Sequence, residues 1–167
     1  MKRLHWLFVC ALWSGASTSA HALTPTAVLS HVAEVGAKRA VLDYYETPQR
    51  DYVFRGIASG DRDWLQVYTA LRQAADAGAG EDLGDAIYEA VPKRPFNVLP
   101  LLAESTGRTP RQLCTFTFES KLPEGGIGAY LDRLDRALAQ ASTGERRKMA
   151  AACREGIKAT RRQFEGQ

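Results

Sequence analysis

The chain has 167 residues, of which 45% are hydrophobic and 25% charged, so it is long enough for one domain with a buried core. Its 22 lysine and arginine residues exceed its 19 aspartate and glutamate residues by only three. Two of these cations, Lys2 and Arg3, fall in a predicted leader, so the remaining residues carry almost no net charge. We therefore predict no nucleic-acid partner.

The first 22 residues have the three-part layout of a secretory signal peptide. Lys2 and Arg3 precede an apolar stretch over residues 4–13, and small residues then lead to Ala20-His21-Ala22. A membrane anchor is the alternative, but this apolar stretch is only half of the roughly 20 residues that span a bilayer. We predict a signal peptide over residues 1–22, periplasmic localisation in a Gram-negative bacterium, and no stable membrane insertion.

Residues 23–167 are predicted to form a single α-helical domain. Threonine followed by proline marks three helix starts, at Thr24-Pro25, Thr47-Pro48 and Thr109-Pro110. The first helix is expected to reach Tyr45, because Val28, Val32, Val35 and Leu42 share helical spacing. Ser59-Gly60 is expected to end the second helix.

The middle of the chain predicts three further helices. Asp61 is expected to cap the third helix, whose apolar stripe is Trp64, Tyr68, Leu71 and Ala75. We expect Gly78 and Gly80 to close it and Glu81-Asp82 to open the fourth helix, which Pro92 stops. The fifth helix covers residues 95–104, where Pro100 forces either a late start capped by Asn97 or a kink.

The last third of the chain predicts two long helices. Residues 115–118 alternate polar and aromatic side chains, so this segment is either extended or helical. A long helix then follows, with Ile127, Leu131, Leu134 and Leu138 on one face. Ser142 and Glu145 are expected to form a capping box for the final helix, which reaches about residue 164.

Two cysteines follow the leader, Cys114 and Cys153. An even pair in an oxidising compartment predicts a disulfide, and two buried thiols are the alternative. The predicted fold class is therefore all-α: a single-domain irregular helical bundle of about seven or eight helices with one disulfide.

Three short segments resemble a family of small exported proteobacterial proteins with no assigned activity. They are Ile57-Ala-Ser-Gly-Asp61 with Trp64, Ala75-Asp-Ala-Gly78 with Glu81 and Leu83, and Ala90-Val-Pro92 with Pro95, Val98 and Leu99. Cys114 and Cys153 add to the resemblance. It implies an exported helical protein with one disulfide, and it implies no catalytic residue.

Two charged clusters are candidate sites. Arg154, Lys158, Arg161 and Arg162 fall on one side of the predicted last helix and form a candidate basic binding face. It is either a surface that docks an acidic partner or a set of cations favoured near a helix C-terminus. The acidic cluster around Asp76–Glu89 is either a Ca²⁺ site or, as we favour, a solvated helix face.

Enzymatic chemistry has little support in the sequence. One histidine outside the leader, His31, and two cysteines predicted to be oxidised cannot build a typical zinc site, so we predict no metal and no cofactor. Glu104-Ser105 resembles the catalytic glutamate and serine of peptidoglycan-cleaving lytic transglycosylases, in which such a carboxyl acts as general acid. The glycine-leucine-methionine-glutamine segment that those enzymes carry downstream is missing here.

We predict an exported, non-enzymatic helical binding or accessory protein that acts on another periplasmic protein. An immunity protein that blocks a toxin belongs to this class. A lytic enzyme that uses Glu104 is the alternative.

Overall fold

A computed structural model describes residues 23–118 and 122–164. Within these ranges the chain forms nine α-helices and no strand, so the predicted all-α class is confirmed. The predicted signal peptide lies outside the described residues. The helices are α1 Pro25–Val35, α2 Ala37–Tyr45, α3 Arg50–Ile57, α4 Arg62–Arg72, α5 Ala77–Ala90, α6 Pro95–Thr106, α7 Pro110–Leu113, α8 Gly126–Leu138 and α9 Gly144–Phe164.

The predicted count of seven or eight helices is wrong because the first predicted helix is two. Gly36 has φ +83° and ψ 152°, a conformation that only glycine adopts readily, and it separates α1 from α2. The predicted start of α1 is confirmed, since the Thr24 hydroxyl accepts a hydrogen bond from the Ala27 amide at 3.2 Å.

Helix α5 begins earlier than the sequence predicts. Asp76 is its N-cap, and the Asp76 carboxylate accepts a hydrogen bond from the Ala79 amide at 3.0 Å. Gly78 and Gly80 therefore lie inside α5 instead of closing α4. α6 begins at Pro95, as predicted, and contains Pro100, so of the two alternatives the late start capped by Asn97 is wrong. The Asn97 side chain instead donates to the Gly60 carbonyl at 3.2 Å.

Every helix contributes apolar side chains to the core, including Ala40 of α2 and Leu113 of the short α7. α1 packs on α4, α3 on α5, and α7 on α9. The largest fully buried side chains of the core are Ile57, Leu83, Ile87, Leu99, Leu131, Leu134 and Leu138. Leu131, Leu134 and Leu138 were all predicted to share the buried face of α8.

Residues 115–118 are not helical, which resolves the alternative that the sequence left open. Phe118 has φ +47°, in the left-handed region that non-glycine residues rarely occupy. Across residues 23–118 and 122–164, no helix combines the length and the apolar composition needed to cross a bilayer.

Candidate functional site

The predicted basic face lies on α9, and we call its four residues, Arg154, Lys158, Arg161 and Arg162, the α9 basic face; two of them contact α8. Arg154 Nε donates to Asp135 Oδ1 at 2.6 Å, and an Arg161 nitrogen donates to Asp132 Oδ1 at 2.5 Å. Lys158 pairs with Glu155 on its own helix at 2.8 Å. Arg162 is exposed. Three of the four predicted binding cations are thus engaged in ion pairs, two of which join α9 to α8.

Two of these ion pairs lower the pKa of their carboxylate. The Arg161 guanidinium, by hydrogen bonding, holds the pKa of Asp132 below its usual value. The Lys158 ammonium lowers the pKa of Glu155 in the same way. Both carboxylates are exposed to solvent, so neither ion pair contributes much to stability. The Arg161–Asp132 pair joins α9 to α8, whereas the Lys158–Glu155 pair lies within α9.

The pair between Arg154 and Asp135 is expected to contribute little to stability. Both side chains are 40–50% exposed, and pairs of this kind have coupling energies of roughly 0.5 kcal/mol. A double-mutant cycle with Arg154→Ala and Asp135→Ala, followed by urea unfolding, measures this coupling. A coupling energy above about 2 kcal/mol would contradict the assignment to an exposed pair.

The predicted disulfide is confirmed. Cys114 follows α7 and Cys153 lies in the middle of α9, with their Cα atoms 5.1 Å apart. Next to it the fully buried Thr160 accepts a hydrogen bond from the Phe116 amide at 2.9 Å through its hydroxyl oxygen. The disulfide and this hydrogen bond together hold residues 114–116 against α9.

That segment forms one wall of a cavity of about 480 Å³. Phe116 and Phe118 stack at 5.3 Å between ring centroids, and Tyr130 of α8 meets both rings edge-on at 5.1 and 5.5 Å. Tyr88 of α5 contacts Phe116 at 6.1 Å. We call this hollow, with its lining of Tyr88, Phe116, Phe118 and Tyr130, the aromatic cavity.

The floor of the aromatic cavity is formed by a buried side chain, and its mouth is exposed. Tyr130 is 3% exposed, and burial raises the pKa of its hydroxyl well above the usual value. That hydroxyl donates to the Tyr88 carbonyl at 2.8 Å, which fixes α8 against α5. At the mouth, Tyr88 is 37% and Leu122 65% exposed, so apolar surface faces solvent here.

Carboxylates surround this mouth and extend across α5. Among the described residues, Asp85, Glu89, Glu124 and one cation, Arg108, line the aromatic cavity. Asp85 and Glu89 also line a second hollow of about 220 Å³ between α3 and α5. Glu89 also lines a third hollow of about 570 Å³, together with Lys93 and Arg94. We call the three adjoining hollows the α5 trough.

Two residues of the acidic cluster, Asp76 and Asp82, make separate structural contacts. Asp76 caps α5, and Asp82 pairs with Arg50, whose guanidinium lies 5.0 Å from the Tyr45 ring and 5.2 Å from the Phe54 ring. His31 Nε2 is 2.9 Å from Asp43. In the described part of the chain no three histidine, cysteine or acidic side chains converge as metal ligands would.

Glu104 lies in the last turns of α6 and is exposed. It does not line the aromatic cavity. The adjacent Ser105 hydroxyl donates to the Leu102 carbonyl at 3.3 Å, as in an ordinary helix. The lytic-enzyme hypothesis stays a prediction.

The aromatic cavity was not predicted. Its aromatic residues come from α5, the segment after α7, and α8, and the one signal in the sequence was the alternation of residues 115–118. The fold and the site define an all-α domain with one disulfide and an acidic, aromatic-lined hollow. Comparison with protein-family models, curated proteins and solved structures finds no match to the chain. The resemblance to exported proteobacterial proteins stays a prediction.

Proposed function

We propose that the protein is an exported, non-enzymatic binding protein that holds a segment of another periplasmic protein in the α5 trough. The supporting observation is the extent of the trough. Its three hollows of about 480, 220 and 570 Å³ adjoin one another through Asp85 and Glu89. A row of three hollows that share lining residues suits an extended segment better than one compact small molecule.

The side chains at the mouth suit a protein partner. Tyr88 and Leu122 offer exposed apolar surface beside a rim of charged groups, which is the arrangement of an interface with an apolar centre and a polar edge. Phe116 and Tyr130, by contrast, are 5% and 3% exposed and are held by ring contacts and hydrogen bonds. A rigid aromatic wall lowers the entropic cost of binding.

Photo-crosslinking in living cells tests this proposal. A photoreactive phenylalanine analogue replaces Tyr88 at the cavity mouth, and in a matched strain it replaces Tyr52 of α3. Tyr52 is 41% exposed and lies outside the trough. We expect a discrete adduct with an exported protein from position 88 and none from position 52.

A second substitution shows whether the adduct depends on the cavity. Thr117→Trp fills the mouth from an exposed, non-helical position, and Thr26→Trp on the exposed side of α1 is its control. We expect Thr117→Trp to abolish the adduct from position 88 and Thr26→Trp to leave it unchanged. An adduct from position 162 but not 88 would move the interface to the α9 basic face. The absence of any adduct would overturn the proposal.

A further inference from the structure

We infer that the third hollow of the α5 trough binds an acidic side chain of the partner segment, an inference that rests on the proposed function. Three cations from two parts of the chain line this hollow. Arg55 belongs to α3, whereas Lys93 and Arg94 belong to the turn between α5 and α6. Arginine and lysine form charge-assisted hydrogen bonds with carboxylates, which are the anionic side chains of a polypeptide.

The two cations of the turn are held in place by contacts with the end of α3. The Lys93 ammonium donates to the Ala58 carbonyl at 2.7 Å. Gly60 has φ +73°, and a Cβ added to it would lie 2.8 Å from the Arg94 Cβ, so the base of the Arg94 side chain packs directly on a glycine backbone. Because these contacts exist without a ligand, less conformational entropy is lost when one binds.

The three cations carry more hydrogen-bond donors than the hollow uses. Two guanidinium groups and one ammonium group have about thirteen N–H donors between them. In the described lining, the carboxylates of Asp61 and Glu89 can accept about eight hydrogen bonds, and the Ala58 carbonyl accepts one from Lys93. Donors for a further carboxylate therefore remain with every one of these acceptors filled, and the planar fork of a guanidinium matches its two oxygens.

The ion pair between Arg94 and Asp61 is weak enough for a ligand to replace. The Arg94 guanidinium is 3.8 Å from the Asp61 carboxylate, which is longer than a hydrogen bond, and both side chains are 60% exposed. Exposed pairs of this kind contribute little to stability. A partner carboxylate that accepts a hydrogen bond of normal length from Arg94 therefore displaces little. A basic side chain of the partner would instead meet like charge.

Short peptides test the anchor without knowledge of the partner. The probes are blocked Ala-Glu-Ala and its uncharged isostere Ala-Gln-Ala, titrated into isotope-labelled protein and followed by NMR. We expect the glutamate peptide to shift the amide resonances of Ser59, Gly60 and Arg94 with an affinity near the millimolar range, as for a single side chain. The glutamine peptide should bind at least tenfold more weakly. Equal binding of the two peptides, or no shift with either, would overturn the acidic anchor.

Charge-removing variants identify the groups responsible. Arg55→Gln with Arg94→Gln is expected to weaken binding of the glutamate peptide about tenfold, and glutamine keeps the Cβ and Cγ atoms that lie against Gly60. Lys38→Gln with Lys148→Gln removes the same charge from exposed sites outside the hollow and should change the affinity less than twofold. Arg55→Gln alone, at an exposed position, should weaken it about threefold and serves if the double variant does not fold. Unchanged binding in these Arg55 variants would contradict the role of the hollow.

Inorganic phosphate separates a side-chain anchor from a site for free anions. The same guanidinium groups can bind phosphate, so we titrate it against the same amide resonances. We expect phosphate to bind no more tightly than the glutamate peptide. Phosphate binding tenfold more tightly would make the hollow a site for a small anion and overturn the polypeptide carboxylate.

Crosslinking in cells keeps this inference separate from the proposed function. Arg55→Glu with Arg94→Glu, in the protein that carries the photoreactive analogue at position 88, is expected to lower the yield of the adduct at least fivefold. Lys38→Glu with Lys148→Glu should leave the yield unchanged. An undiminished adduct in the first variant overturns the acidic anchor and leaves the proposed function standing. The absence of an adduct without these substitutions overturns the proposed function, and the peptide titration then decides separately whether the third hollow takes a carboxylate.

Discussion

Reduction of the Cys114–Cys153 disulfide is expected to lower the free energy of unfolding by about 4 kcal/mol, because it frees a loop with a sequence separation of 39 residues in the unfolded chain. Domains of this size have total stabilities of roughly 5–15 kcal/mol. The reduced protein should therefore be marginal. Urea unfolding with and without a thiol reductant, from residue 23 onward, measures the difference.

The double variant Cys114→Ala with Cys153→Ala is the control for this measurement. It should unfold at the midpoint of the reduced protein and should not respond to reductant, since no other cysteine lies between residues 23 and 167. A loss below about 1 kcal/mol on reduction would show that the α7–α9 contact holds without the covalent link.

Loss of the disulfide should also reach the aromatic cavity. Phe116 lies two residues after Cys114, and its amide is protected by the buried Thr160 hydroxyl. When the link is absent, we expect the Phe116 amide to exchange with solvent much faster than amides of α8. We therefore expect the covalent bond that stabilises the domain also to keep the wall of the aromatic cavity in place.

Local signals predicted most helices but not all of their ends. The hydroxyl of Thr24 caps α1 and that of Thr109 caps α7, as threonine-proline pairs indicate. The predicted capping box at Ser142 is one residue early, because the Arg146 amide donates to the Thr143 hydroxyl at 3.2 Å. Adjacent serine and threonine residues offer equivalent caps, and packing of the following helix decides between them.

Gly36 and Asp76 show why two helix boundaries were missed. A single glycine within an apolar stripe is compatible with a continuous helix, and only the positive φ at Gly36 ends α1. At α5, two glycines close together suggested a turn. Gly80 is buried, and a Cβ added to it would lie 3.3 Å from the Arg72 guanidinium of α4. Close packing on α4 therefore explains why a glycine stands at this position within a helix.

The charged surfaces depend on contacts between distant residues. Helical spacing correctly placed Arg154 and Arg161 on one side of α9, yet nothing in the sequence showed that α8 carboxylates lie opposite. Their pairing with Asp135 and Asp132 runs in opposite directions along the two helices, as expected for antiparallel neighbours. The sequence feature that does indicate antiparallel packing of α8 and α9 is the short connection between these two amphipathic helices.

Gly156→Ala is expected to lower the free energy of unfolding by about 3 kcal/mol, even though alanine is the better helix former. A Cβ at position 156 would lie 2.3 Å from the Arg111 carbonyl oxygen and 2.7 Å from the Cys114 carbonyl carbon. Both are backbone atoms, so no side-chain rotation relieves the contact. To relieve this contact, α9 would have to move away from α7, but the Cys114–Cys153 disulfide holds α9 to the end of α7.

Gly84→Ala is the matched control, because it makes the same substitution within α5 where an added Cβ meets nothing within 4 Å. There only the helix propensity changes, and the expected effect is a gain of about 0.5–1 kcal/mol. Urea unfolding of both variants should thus give shifts of opposite sign. Since Gly156 is fully buried in the contact that also holds Cys114 and Phe116, a neutral or stabilising Gly156→Ala would contradict the close packing of α7 on α9.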